Sequence, residues 1–235
     1  FYLYFSNSGI GTGVITSTDP VTGWTDPLGH CFVTSQSPGI DGSDTPFDPG
    51  VVIDDNGVGW LAVGGGDQTA AMPDGARIVQ LGDDMISFAS DFKRIYAPYH
   101  FEANELNYIN GTYVYTYCSN WADRRNIQWD YDCDAPGGCG MVYMTTKTPL
   151  DPDSWQVKGE CFKQPGECGF DYSNNHTHMH KFKGKWYMFY HTLTLKHGMG
   201  ITGAYRSMGV DEVNVDEESV TIEDAGGTKK GVKAN

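Results

Sequence analysis

The chain has 235 residues, 39% of them hydrophobic and 20% charged, enough to bury a substantial core in one large domain. Its formal net charge is -14, which repels phosphate backbones and argues against nucleic-acid binding. No run approaches the roughly 18 apolar residues of a membrane span. Thirty glycines and 13% aromatics, with few helix formers, predict an all-β protein.

The chain opens directly on an aromatic strand, "FYLYFSNSG", as a chain entered in the middle of a domain would. "FYLYFSNSGIGTGVITSTDP" is the first of several units built from an aromatic strand, a turn and a second strand ending in small polar residues. A Gly/Asp/Pro stretch from Ser35 to Pro49 reads as an insertion, and a looser copy of the unit follows at residues 57 to 84. "TYVYTYCSNW" at 112 to 121 repeats the pattern, and after a cysteine-containing insertion from Ala122 to Gly140 it continues in "GCGMVYMTTKTP". "KWYMFYHTLTLKHGMGITGAYRS" at 185 to 207 is a further copy. Units of roughly 50 to 70 residues, each a single supersecondary element, suggest blades of a β-propeller in one domain over residues 1–235. A β-sandwich is the competing architecture. No helix of convincing length is predicted.

The six cysteines form no C-x-x-C pair, so zinc ribbons and thioredoxin-like sites are disfavoured. Cys133 with Cys139, and Cys161 with Cys168, lie in loops where local bridges are feasible. Sequons at Asn110 and Asn175 fit a secreted glycoprotein with disulfides. Six free thiols in a cytosolic protein remain the alternative.

Three acidic or histidine positions stand just ahead of, or at, the first strand of successive units. They are Asp48 in "PFDPGVVIDDNG", Glu102 in "YHFEANELNYINGTYVYTY" and His176 in "YSNNHTHMHKFKGKWYMFY". In a propeller the innermost strand of each blade lines the central channel, so residues repeated at one point of each blade converge on the axis. Carboxylates gathered there suit glycoside hydrolysis, in which one acid protonates the leaving oxygen and another carboxylate activates water or attacks the sugar. Each position has a plainer reading: Asp-Pro initiates turns, and a lone strand histidine is usually structural. Asp54, Asp55 and Asn56 read as hairpin-turn residues, and Glu105 as a rim residue pointing differently from Glu102. On one strand, His176, His178 and His180 would share a face, but no neighbouring Glu or Cys completes a zinc site.

"FDPGVVIDDNG...GWLAVGGG", "FEANELNYINGTYVYTYCSNW" and "NNHTHMHKFKGKWYMFYHT", in that order, resemble glycoside hydrolase family 43. "GVITSTDPVTGWTDPLG" and "GAYRSMGVDEV" extend the likeness over nearly the whole chain. The resemblance implies a secreted, monomeric, five-bladed propeller, with the first blade incomplete here. It also implies inverting hydrolysis of arabinose- and xylose-containing plant cell-wall polysaccharides, by an α-L-arabinofuranosidase or β-xylosidase. By the same resemblance Glu102 is the general acid and Asp48 the residue that tunes and orients it. His176 is the central histidine, beside a calcium or other axial ion in many members, and Arg206 lies near the sugar. His178 and His180 have no counterpart in the family's chemistry. Trp121, with Trp129 and Tyr131, is a candidate for stacking on sugar rings.

The family's general base is an aspartate upstream of the "YLYF" strand, where this chain begins. Asp19-Pro20 and Asp26-Pro27 do not replace it, because they fall in outer-strand turns. The chain as it stands is therefore expected to hydrolyse poorly unless another segment supplies the base. A carbohydrate-binding propeller without turnover, and an endo-acting arabinanase or xylanase, are the alternatives.

Overall fold

A computed structural model describes residues 1–7, 10–40, 45–125, 128–203 and 205–233. Four antiparallel sheets follow one another along the chain. The first holds β1 (Tyr2–Ser6), β2 (Gly11–Thr16) and β3 (Val33–Thr34). The second holds β4 (Gly50–Ile53), β5 (Gly59–Val63), β6 (Arg77–Gln80) and β7 (Lys93–Arg94). The third holds β8 (His100–Ile109), β9 (Thr112–Ser119), β10 (Met141–Thr146) and β11 (Gln156–Phe162). The fourth holds β12 (His178–Phe182), β13 (Lys185–Thr192) and β14 (Ser207–Val213), with a single helical turn, α1 (Thr194–Gly198), between the last two. A small hairpin, β15 (Val215–Asp216) and β16 (Thr221–Ile222), ends the described strands.

Within every sheet the strand order is the chain order, the up-and-down meander of a propeller blade. The ring of blades is not closed, in keeping with the incomplete propeller expected from the sequence. The hydrophobic core is partitioned between neighbouring blades. Val14, Val33, Leu61 and Val79 join the first two sheets. Trp60, Ile78, Tyr115 and Met144 join the second and third, and Phe101, Val114, Met179 and Met188 the third and fourth. Both faces of β9 are therefore covered, which is why all eight of its residues, including the aromatic run "TYVYTYCS", are buried.

Polar clamps reinforce these interfaces. The "DDNG" turn forms as expected, but Asp54 does more than turn the chain. Its carboxylate accepts from the Asn56 and Val58 amides and from Trp60 Nε1, and also from the Tyr113 hydroxyl of the next blade at 2.6 Å. Gly50 is required for a different reason. A Cβ there would lie 2.5 Å from Glu105 Cα and 2.7 Å from the Asn104 carbonyl, so only glycine lets β4 approach β8 so closely.

All six cysteines are unbridged. Neither bridge expected from the loops forms, because two of the four thiols, Cys139 in the turn before β10 and Cys161 on β11, are buried in the core. Cys139 is buried against the Cys118 thiol, whereas Cys133 stays in the loop near Gly159. Cys161 is fully buried on β11, whereas Cys168 sits near Gly226. The sequons also differ. Asn110 is exposed at the β8–β9 turn, but Asn175 is fully buried and donates to the Lys163 carbonyl at 3.1 Å, so it offers no acceptor for a glycan.

The Asp54 clamp yields a stability prediction. Asp54→Ala leaves the Trp60 and Tyr113 donors buried without an acceptor and is expected to destabilise the fold by about 2–3 kcal/mol. Tyr113→Phe removes a single bond and should cost about 1 kcal/mol. Urea denaturation followed by tryptophan fluorescence measures both, and equal losses would contradict the clamp.

Candidate active site

The three positions singled out from the blade repeat do come together. Asp48 lies two residues before β4, Glu102 is the third residue of β8, and His176 lies two residues before β12. Asp48 is held from three directions. Its Oδ2 accepts from the Ala103 amide at 2.9 Å, its Oδ1 accepts from the Ser6 hydroxyl at 3.1 Å, and its own amide donates back to Ser6 at 2.8 Å. The His176 Nδ1 lies 3.7 Å from the same Oδ2.

Beneath Asp48, Asn104 acts as a hub. Its amide nitrogen donates to the carbonyls of Asp48 and Gly64 at 3.0 and 2.8 Å. Its oxygen accepts from His100 Nε2 at 2.9 Å and from the Tyr115 hydroxyl. His100 is wholly buried, and desolvation lowers its pKa to about 4, so the ring stays neutral.

The β8 backbone determines what its two glutamates do. In an unbroken strand, residues three apart point to opposite faces. Here the β8–β9 register shifts between Glu102 and Glu105, and Ala103 sits at φ 62°, a left-handed conformation uncommon for alanine. The bulge leaves both glutamates on the channel side. This corrects the rim assignment for Glu105, which is buried. Both of its oxygens accept from the Met179 amide, at 3.0 and 3.1 Å, and Oε1 lies 2.6 Å from His178 Nδ1.

Glu102 is bound more sparingly. The Asn174 side chain donates to its Oε1 at 2.8 Å. Burial, and after it the negative charge of Asp48, pushes the Glu102 carboxyl up to about 7, while the Asn174 bond and the Arg206 charge act in the opposite direction. A carboxyl held this way carries a proton near neutral pH and can give it to a substrate oxygen. His176 shifts the other way, burial lowering its pKa against the pull of Asp48.

A cavity of about 590 Å³ runs below this cluster, lined by Asn104, Glu105, His176, His178, His191 and Arg206 among others. Arg206 is exposed at its wall and close enough to act on Glu102. Trp121 lies apart from the cluster, half-exposed, with its ring over Gly138 of the long loop. Trp129 packs on Tyr99 and Tyr131 in that loop, with ring centroids 6.2 and 4.6 Å apart. His178 and His180 stack on each other at 5.8 Å on β12, and His176 precedes the strand. Among the described residues no three His, Cys, Asp or Glu side chains converge as metal ligands. No chemical step here is routed through a metal.

Asp19 and Asp26 occupy exposed turns, each accepting from two backbone amides of its own turn. Both carboxylates are thus engaged by their own turns. The residues that sequence reasoning missed are Ser6, Asn104, Asn174 and His191. Asn104 and Asn174 are each two residues from a position singled out in the repeat, the only hint the sequence held.

The sequence profile of Glycosyl hydrolases family 43 matches residues 1–220. An arabinoxylan arabinofuranohydrolase of Paenibacillus polymyxa is 37% identical over 99% of this chain and 36% of its own length. One from Bacillus subtilis (strain 168) is 36% identical over 100% of this chain and 44% of its own. The crystal structure of a family 43 arabinoxylan arabinofuranohydrolase from Bacillus subtilis, in complex with cellotetraose, superposes with a TM-score of 0.86 at 33% identity, covering 99% of this chain and 48% of that one. An α-L-arabinofuranosidase from Clostridium thermocellum gives 0.76 at 32% identity, covering 100% and 71%. The chain thus spans less than half the length of the curated relatives it matches. With that match and a blade-by-blade propeller architecture, the chain belongs to glycosyl hydrolases family 43.

Proposed function

We propose that this chain carries the acid half of an inverting glycosidase site that removes L-arabinofuranosyl branches from arabinoxylan in the extracellular space. The observation that carries this reading is the Glu102 carboxyl, half-buried beside Asp48 with its pKa raised to about 7. Glu102 protonates the glycosidic oxygen as the bond to the anomeric carbon breaks. Asp48 keeps the proton on Glu102 by like-charge repulsion, and its bond to the Ala103 amide fixes the backbone from which Glu102 projects. Arg206, at the cavity wall, supplies a cation near the departing sugar.

Inversion needs a second carboxylate roughly 6.5–9.5 Å from the acid, on the opposite face of the sugar. Asp48 and Glu105 are the carboxylates nearest the acid among the residues of this cluster, and both are committed to backbone amides. The base is assigned to an aspartate outside it. The relatives' names favour arabinose over xylose as the sugar removed, and arabinoxylan as the polymer.

Azide separates the acid's role from the base's, since an anionic nucleophile needs no deprotonation. With azide and an arabinoxylo-oligosaccharide, the chain should release arabinosyl azide, and Glu102→Gln should slow this by about 10²–10⁴-fold. With a nitrophenyl arabinofuranoside, whose leaving group needs no proton, the loss should be far smaller. Equal losses on both substrates would remove Glu102 from the acid role, and binding without any turnover would favour a carbohydrate-binding propeller.

The acid must be protonated, so oligosaccharide cleavage should fall as pH rises through about 7. Asn174→Leu removes a bond that lowers the Glu102 pKa, so this basic limb should move to higher pH. A carboxyl NMR titration that leaves Glu102 unmoved would show that Asn174 does not tune it.

The same shift bears on stability. The Glu102 carboxyl goes from an ordinary value of 4.5 to about 7 on folding, so its contribution is complete below about pH 4.5 and lost as pH rises through about 7. Glu102→Gln should therefore gain stability relative to the parent between pH 5 and 8, and none of that gain should appear at pH 4. Urea midpoints across that range provide the test.

A further inference from the structure

His191 is a buried imidazole for which the acid chemistry has no use. On β13, Met188 and Tyr190 pack into the core with the third sheet, and Phe189, Tyr190 and His191 line the cavity. His191 is 8% exposed, yet among the described residues neither Nδ1 nor Nε2 has a hydrogen-bond partner. The Thr177 hydroxyl, on the wall of the same cavity, is also buried and unpartnered. Buried polar atoms in native proteins are almost always paired, so three such atoms on one wall indicate a missing ligand.

The surroundings define that ligand's chemistry. Burial, with the charges of Arg206 and His176, lowers the His191 pKa to about 4, so the ring is neutral and presents one donor and one acceptor. A cation on this wall would be repelled by Arg206. An anion would face Glu105 on the cavity wall, with the Asp48 carboxylate 3.7 Å from the lining His176. A neutral group that both gives and accepts hydrogen bonds fits: the hydroxyls of a sugar.

We propose that His191 and Thr177 form the wall that reads the hydroxyls of the pentose bound beside Glu102, making His191 a specificity-determining residue of this site. The inference rests on the sugar-binding reading of the cavity but not on Glu102 being the acid. The imidazole both donates to one hydroxyl and accepts from a neighbour, so a pentose with the wrong stereochemistry leaves a buried nitrogen unpaired.

The test is binding of an arabinoxylo-oligosaccharide followed through the ¹⁵N resonances of the His191 ring, with calorimetry for affinity. Saturation should shift both ring nitrogens. His191→Leu should weaken binding by about 10- to 100-fold, while His191→Gln, which still donates and accepts, should stay within about threefold of the parent. Glu102→Gln should bind like the parent, so loss of the azide-dependent turnover there with intact binding separates the two assignments. Unmoved ring nitrogens at saturation, undiminished binding by His191→Leu, or absence of binding by the parent would each overturn the proposal. Should His191→Leu fail to fold, the ring shifts and the His191→Gln affinity decide alone.

Discussion

The hydrogen bond from the Ala103 amide to the Asp48 carboxylate is the contact on which the site depends. It crosses from the third blade to the second, at the point where β8 breaks its register. Without an acceptor, the amide of a bulged residue would be an unpaired buried donor, and a left-handed alanine would have little to hold it. Asp48 supplies that acceptor, and is itself at φ 50°, held by Ser6 and by the Asn104 hub. The strained backbones on both sides of the gap are stabilised by the same few bonds. The Gly50 approach to β8 is what brings them within reach.

This arrangement ties geometry to acidity. The carboxylate that pins the bulge is also the negative charge that, after burial, does most to raise the Glu102 pKa. Moving Asp48 away would therefore loosen the backbone carrying Glu102 and lower its proton affinity together. Replacing it by asparagine would keep an acceptor for Ala103 but remove the charge, so aim and acidity are separable in principle although one side chain serves both.

Much of this was legible in the sequence because it is periodic. Aromatic strands bounded by Gly, Asn and Asp recur along the chain, and the sheets follow that recurrence in order. Asp48, Glu102 and His176 were visible as one position in successive repeats, and the chain-order meander brings that position to the channel. Glu105 was misread because strand alternation was assumed to run through Ala103, and nothing in an alanine's identity announces a left-handed φ. The cysteines were misread for a related reason: loop proximity suggested Cys133–Cys139, but Cys139 sits in the turn just before β10, its amide donating to the Ser119 carbonyl, and faces Cys118. His191 lay hidden in "FYHT" because the face of β13 that meets the core depends on the neighbouring blade, which no local pattern specifies.

Glu102 and Glu105 show how little of a carboxyl's role is carried by its residue type. Both reach the channel from one strand, three positions apart. Glu105 receives a backbone amide and an imidazole, donors that satisfy a charged carboxylate and tie the third blade to the fourth. Glu102 receives one neutral amide from Asn174 and faces a like charge, so its charged form is poorly supported where it sits. Donor-rich surroundings make a structural anchor, and donor-poor, acidic ones make a proton source. Exchanging the two environments would exchange the roles, and the bulge at Ala103 is what allows a single strand to reach both.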